Sequence, residues 1–159
     1  MVNSSDIESF WTRGDLYSRV SQAMSKAGLN DKKLEIEDLF PIDQYHARGI
    51  AATVDLGKRM PISENHKIID IGCGLGGPAR YFAKHFKCFV TGIDITPSFI
   101  EIGNKFNKLT SMSEHVNLQV GNGETLDFDD ETFDGGYSQH VTMNIKNRKE
   151  FFLEAYRVL

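Results

Sequence analysis

The chain has 159 residues, 40% of them apolar and 25% charged, with a formal net charge of −4 at pH 7, as expected of one soluble domain with a core of its own. The acidic balance and the lack of any Lys/Arg block exclude a nucleic-acid surface, and the two cysteines exclude a disulfide scaffold. No apolar run is long enough to span a membrane and the first residues, MVNSSDIESF, lack a secretory pattern, so a reducing, cytoplasmic setting is expected.

Between residues 15 and 27, Leu16, Val20, Ala23, Met24 and Ala27 recur at three- and four-residue intervals, one face of a helix capped by Asp15 and stopped by Gly28. Ile36, Leu39 and Phe40 form a short apolar cluster ended by Pro41. A second helix is predicted over 43–60, with Ile50, Ala51 and Val54 inward and Pro61 closing it. Next come Ile68, Ile69, Asp70 and Ile71, then the glycine-dense Gly72-Cys73-Gly74-Leu75-Gly76-Gly77, Pro78 and helical patterning to Phe86. This reads as strand, tight loop and helix, a turn that brings backbone N–H groups and a helix N-terminus up to a nucleotide-type ligand.

Gly72, Gly74 and Gly77 satisfy G-x-G-x-x-G, and Asp94 follows Gly72 by 22 residues, near the spacing of an acid on a ribose. That pattern alone admits an NAD(P)-dependent oxidoreductase. Asp70 discriminates against it, because a carboxylate under the loop repels a pyrophosphate and attracts an ammonium group. Gly72, Gly74 and Gly76 also fit G-x-G-x-G. The stretch IIDIGCGLGGPAR resembles motif I of the class I S-adenosylmethionine-dependent methyltransferases, and its GGPAR ending is similar to the sterol, tocopherol and dimethylglycine branches.

The resemblance covers about residues 40–159. It implies a Rossmann-like α/β fold of three layers with a parallel sheet in the order 3-2-1-4. It also implies S-adenosyl-L-methionine as cofactor, S-adenosyl-L-homocysteine as product, and a small-molecule acceptor methylated on N, O or C. Residues 1–62 are then an N-terminal helical lid and 63–159 the cofactor-binding core. LFPIDQYHARGIAAT is similar to a pre-domain element of small-molecule methyltransferases, which puts Gln44, Tyr45 and His46 near the site.

Cys88 to Asp94 reads as the second strand and 97–112 as a helix opened by Thr96-Pro97, with Phe99, Ile102, Phe106 and Leu109 inward. Val116, Leu118 and Val120 alternate as a third strand, and 132–137 is the fourth. Asn147 caps a last helix in a capping-box pattern with Glu150, burying Phe151, Phe152, Ala155, Tyr156 and Leu159. By resemblance, cofactor contacts fall on Asp70, Gly72, Cys73, Gly74 and Gly76, then on Asp94 and Ile95, on Asn122, Gly123 and Glu124, and on Gln139 and His140. Asn122 departs from the family's aspartate.

His140 and His46 are the candidate proton acceptors, Asn144 faces substrate, and Tyr137 and Tyr45 suit a cationic carbon. The acidic run Asp127 to Glu131 lacks the glycine-containing spacing of a calcium loop, so no metal is expected. Four strands leave strand four with an open edge. The chain therefore reads as part of a longer enzyme, with a homodimer as one cover for that edge, and a cofactor-binding fragment without turnover as an alternative.

Overall fold

The computed structural model describes Ser18, Val20, Gln22, Met24, Ser25 and Gly28, then 34–44 and 46–159. Of the helix expected over 15–27, the described residues from Ser18 to Ser25 are helical, and the others, with Tyr45, lie outside the described residues. Val20 is buried beside Leu39, Leu75, Phe99 and Phe106, as the helical spacing requires.

The region expected to be an apolar cluster followed by one long helix is two short helices. Helix α1 is Ile36–Asp43 and runs through Pro41. Burial of Ile36, Leu39 and Asp43 holds it together despite the hydrogen bond a proline removes. The chain then turns, with positive φ at Arg48 and Gly49, before helix α2, Ile50–Gly57. The buried line of α2 is Thr53 and Gly57, whereas Ala51 is exposed and Ile50 and Val54 are half-buried. Aliphatic periodicity misplaced that face because its key contact is polar: Thr53 points at Gln44 and Gln139.

Strand β1, Lys67–Ile71, leads through the glycine loop into helix α3, Gly77–Phe86, with Pro78 in its first turn. Strand β2 is Phe89–Asp94 and helix α4 is Pro97–Leu109. Strand β3 is Val116–Val120, and strand β4 is only Gly135–Tyr137. Residues 131–134 do not extend β4 because their backbone is otherwise engaged. Glu131 and Phe133 donate to carbonyls at the end of the last helix, and Asp134 brackets Lys67 through N–H and carboxylate at 2.8 and 2.7 Å.

A 3-10 turn at Thr142–Asn144 precedes helix α5, Arg148–Arg157. Its N-cap is Asn147, whose side chain accepts from Glu150 N. Its buried face is Phe151, continued by Val158, while Phe152, Tyr156 and Leu159 are exposed. The expected apolar face was therefore too wide: the sheet covers only the line through Phe151, beside Ile69, Ile71 and Ile93.

All strand pairs are parallel and the order is β3-β2-β1-β4. Helices lie on both sheet faces: Phe82 and Ala83 of α3 and Ile100 of α4 share one apolar cluster with Ile68, Val90 and Leu118, and Phe151 packs with Ile69 and Ile93. The C-terminal ends of β1, β2, β3 and β4 thus open on one side, where an open α/β sheet takes its ligand. No helix among the described residues is long and apolar enough to cross a membrane.

Candidate functional site

One pocket opens over those strand ends. It is lined by Asp70 near the end of β1 and Gly72, Cys73 and Gly74 after it, by Asp94 at the end of β2 and Ile95 after it, and by Asn122, Gly123 and Glu124 after β3. Gln139, His140 and Asn144 line it from the loop after β4, and His46 from the turn between α1 and α2. Thirteen residues marked out by motif and resemblance therefore meet at one cavity, though their separations in the chain reach 98 positions.

The glycine loop shows why small residues stand there. Gly72 has φ +86 and an added Cβ would lie 2.1 Å from Val141, so the close approach of the β4 loop requires glycine. Gly74, at φ +54, has no atom of the described residues within 4 Å of an added Cβ and leaves bare backbone facing space. Gly76 does not line the pocket. Its side faces Leu118 and Arg80, and with φ +76 it turns the chain into α3. Cys73 is buried, and its thiol is pushed well above the usual range by burial and by Asp70 and Asp94, so it is a core thiol and not a nucleophile.

Asp94 is held by its own loop. Its Oδ2 accepts from Gly74 N and its Oδ1 from Thr96 N, both at 2.9 Å. Each oxygen keeps a lone pair, so a diol can still be taken by both. Burial raises its pKa, against which these two N–H groups work. Asn122 spends Oδ1 on Glu124 N at 2.9 Å, and Glu124 in turn accepts from Lys146 and Asn147 N–H at the start of α5. Glu124 thus ties the β3 loop to α5.

Asp70 is 1% exposed and accepts from the buried Tyr137 hydroxyl at 3.0 Å. Burial is the largest influence and pushes its pKa up to about 7, with Asp94 adding to the rise and Tyr137 opposing it. Tyr137 is therefore a hydrogen-bond donor under the pocket floor. His46 is half-buried, its ring centroid 6.0 Å from that of His140, and burial lowers its pKa, with His140 adding to the effect. His140 is exposed, sits at φ +56, and makes no hydrogen bond through its ring among the described residues.

The polar core behind the loop is not legible in the sequence. Arg80 is fully buried. It donates to Asp43 Oδ2 at 3.0 Å, to Asn107 Oδ1 at 2.7 Å, and to the carbonyls of Leu75 and Gly103 at 2.5 and 3.2 Å. Its guanidinium also lies over the Phe106 ring, 5.6 Å from the centroid. One side chain therefore clamps the glycine loop, α1 and α4 together. The only signal for it was an arginine inside an otherwise apolar turn of helix.

Residues 69–159 match the family model described as a methyltransferase domain. Among known proteins, 24-methylenesterol C-methyltransferase 3 of Arabidopsis thaliana is 39% identical over 106 residues, covering 67% of this chain and 29% of that protein. The chain spans under a third of the length of the curated relatives it first matches, at 29%, 27% and 28%. Of solved structures, the YcgJ protein of Bacillus subtilis superposes with a TM-score of 0.65 at 25% identity, over 69% of this chain and 46% of that one. The [4+2]-cyclase SpnF superposes with a TM-score of 0.73 at 17% identity, over 99% of this chain and 56% of that one, a likeness of fold. The glycine loop under an acidic strand end, the 3-2-1-4 sheet and the matched domain agree, and this chain belongs to the class I S-adenosylmethionine-dependent methyltransferase family.

Proposed function

We propose that the pocket binds S-adenosylmethionine and that the protein transfers its methyl group to a small-molecule acceptor, with an apolar, sterol-like acceptor as the leading class. The observation that carries the cofactor reading is the pairing of a bare Gly74 backbone with two acids at adjacent strand ends, Asp70 and Asp94. The acceptor class is supported by the sterol methyltransferase relative and by Leu75, Phe99, Val141, Ile145 and Phe151 in the pocket wall.

In this reading Asp94 takes the ribose diol, Asp70 the ammonium group, and Asn122, Gly123 and Ile95 flank the adenine. When bound, the cofactor supplies an electrophilic methyl on a sulfonium, so no protein nucleophile is needed. The chain's own residues align, exclude water and accept a proton. His140, with both ring nitrogens unbonded among the described residues, is the proton acceptor, and Gln139 lies beside the methionine part. Residues 1–62 form the lid, and 63–159 the core. A cytoplasmic location and a homodimer belong to the same proposal.

Asp70 gives a test tied to charge. Its folded pKa of about 7 lies above that of an unfolded carboxyl. Its neutral form therefore stabilises the ligand-free fold fully below about pH 4, and that contribution is lost as pH rises through about 7. An ammonium group beside it reverses this preference and expels the proton. Titration with S-adenosylhomocysteine at pH 6.5, in buffers of different ionisation enthalpy, should therefore show release of up to about 0.75 proton. Asp70→Asn should abolish the release and weaken binding. Binding without proton release would show that the ammonium lies elsewhere.

Turnover is tested with methyl-labelled cofactor and a sterol bearing a side-chain double bond. Label in the sterol, strongly reduced in His140→Ala, supports the reading. Equal activity in that variant would remove His140 as the base.

A further inference from the structure

Behind the pocket wall a line of polar side chains runs from the glycine loop to the pocket mouth. Arg80 joins the Leu75 carbonyl to Asp43, and Gln44 follows Asp43 in the chain. Gln44 is buried; its Oε1 lies 2.7 Å from Thr53 Oγ1, and its Nε2 makes no hydrogen bond of standard geometry among the described residues. The Gln44 side chain nonetheless helps to stabilise the Asp43 carboxylate, whose Oδ1 likewise has no hydrogen bond among the described residues. Thr53 is fully buried in α2, and its Oγ1 also lies 3.2 Å from His46 Nε2 and 3.3 Å from Gln139 Oε1. One hydroxyl therefore joins α2, the turn after α1 and the loop after β4.

That hydroxyl has one proton and two lone pairs to share among three neighbours. The Asp43 carboxylate attracts the Gln44 amide nitrogen and repels its oxygen, so Oε1 faces Thr53 and takes the proton. The other two neighbours must then donate. Gln139 does so by turning its amide, whose oxygen and nitrogen exchange places on rotation. His46 does so as Nε2–H. Its Nδ1 lies 3.4 Å from Ala47 O, a carbonyl that can only accept, so this longer contact favours Nδ1–H and competes with the shorter one to Thr53.

We infer that Thr53 is a positioning residue: its hydroxyl fixes His46 as the Nε2–H tautomer and holds His46 and Gln139 together at the pocket mouth. The functional weight of this arrangement rests on the cofactor reading above; the tautomer does not. His46 Nδ1 is thereby kept as a second proton acceptor beside His140, and Gln139 is kept in place for the methionine part of the cofactor.

The test uses the full chain labelled with nitrogen-15, ligand-free, and reads the imidazole of His46 through its long-range proton–nitrogen couplings. The Nε2–H pattern is expected in the parent and in Thr53→Ser, and a mixture of tautomers in Thr53→Val. In parallel, S-adenosylhomocysteine affinity should fall about 5- to 10-fold in Thr53→Val and return to within about twofold in Thr53→Ser. A parent spectrum with the Nδ1–H pattern overturns the inference even if Thr53→Val fails to fold. So does a folded Thr53→Val with unchanged tautomer and affinity. If the parent binds no S-adenosylhomocysteine, the cofactor reading fails, while the imidazole spectra still decide the role of Thr53.

Discussion

Replacing Arg80 by Met should destabilise the chain by about 3–5 kcal/mol, read as a shift in the urea unfolding midpoint. The side chains of Arg80 and Asp43 are 0% and 1% exposed, so removing the guanidinium leaves a carboxylate with no water to receive it. The Leu75 and Gly103 carbonyls and Asn107 lose their donor as well. Burial already pushes the Asp43 pKa up to about 6, with Arg80 opposing the rise. Without Arg80 it rises further, and the folded chain takes up a proton. A carboxyl with a raised folded pKa stabilises the fold below its unfolded pKa and loses that contribution as pH rises through the folded value. The cost of Arg80→Met is therefore smaller at pH 5 than at pH 8. Adding Asp43→Leu should recover part of the loss at pH 8, because the stranded charge goes with it. A pH-independent cost, or a double variant worse than the single, would mean that the arginine acts by packing alone.

Asp94→Ala should weaken S-adenosylhomocysteine binding about 100-fold, the loss of two hydrogen bonds to a charged acceptor. Asp94 is fixed from both sides, by Gly74 N and Thr96 N, so its free lone pairs point out of the strand end in a set direction. Asn is no gentle replacement. Its amide nitrogen must face one of those two N–H groups, and it offers one acceptor oxygen where a diol needs two. Asp94→Asn should therefore bind nearly as poorly as Asp94→Ala, as calorimetry would show. An asparagine variant that binds within about threefold of the parent would contradict recognition of a diol.

The parts of this protein legible in its sequence are those governed by local rules. A glycine turn between an apolar strand and a proline-led helix has one physical use, and Asp94 at the next strand end follows from the same geometry. The sheet order and the position of β4 followed from the resemblance and match the strand pairing. What escaped was set by partners distant in sequence. The break between α1 and α2 comes where Asp43 is anchored to Arg80, 37 residues away. Thr53 reads as a polar residue on a helix surface, yet it is fully buried because Gln44 and Gln139 meet it there. The outer face of α5 failed in the opposite sense. Phe152 and Tyr156 have the periodicity of a core face but are 58% and 83% exposed. The fold also underdetermines the chemistry, since a [4+2]-cyclase shares it over 99% of this chain. The acids and the glycine loop, not the topology, carry the assignment of the cofactor.

The most direct measurement is calorimetric titration of the chain with S-adenosylhomocysteine, with NADH as the control ligand. Saturable binding of S-adenosylhomocysteine is expected, weakened about 100-fold in Asp94→Ala, with no binding of NADH, whose pyrophosphate meets the buried acid Asp70. Binding of NADH in preference, or S-adenosylhomocysteine binding indifferent to Asp94, would contradict the cofactor reading.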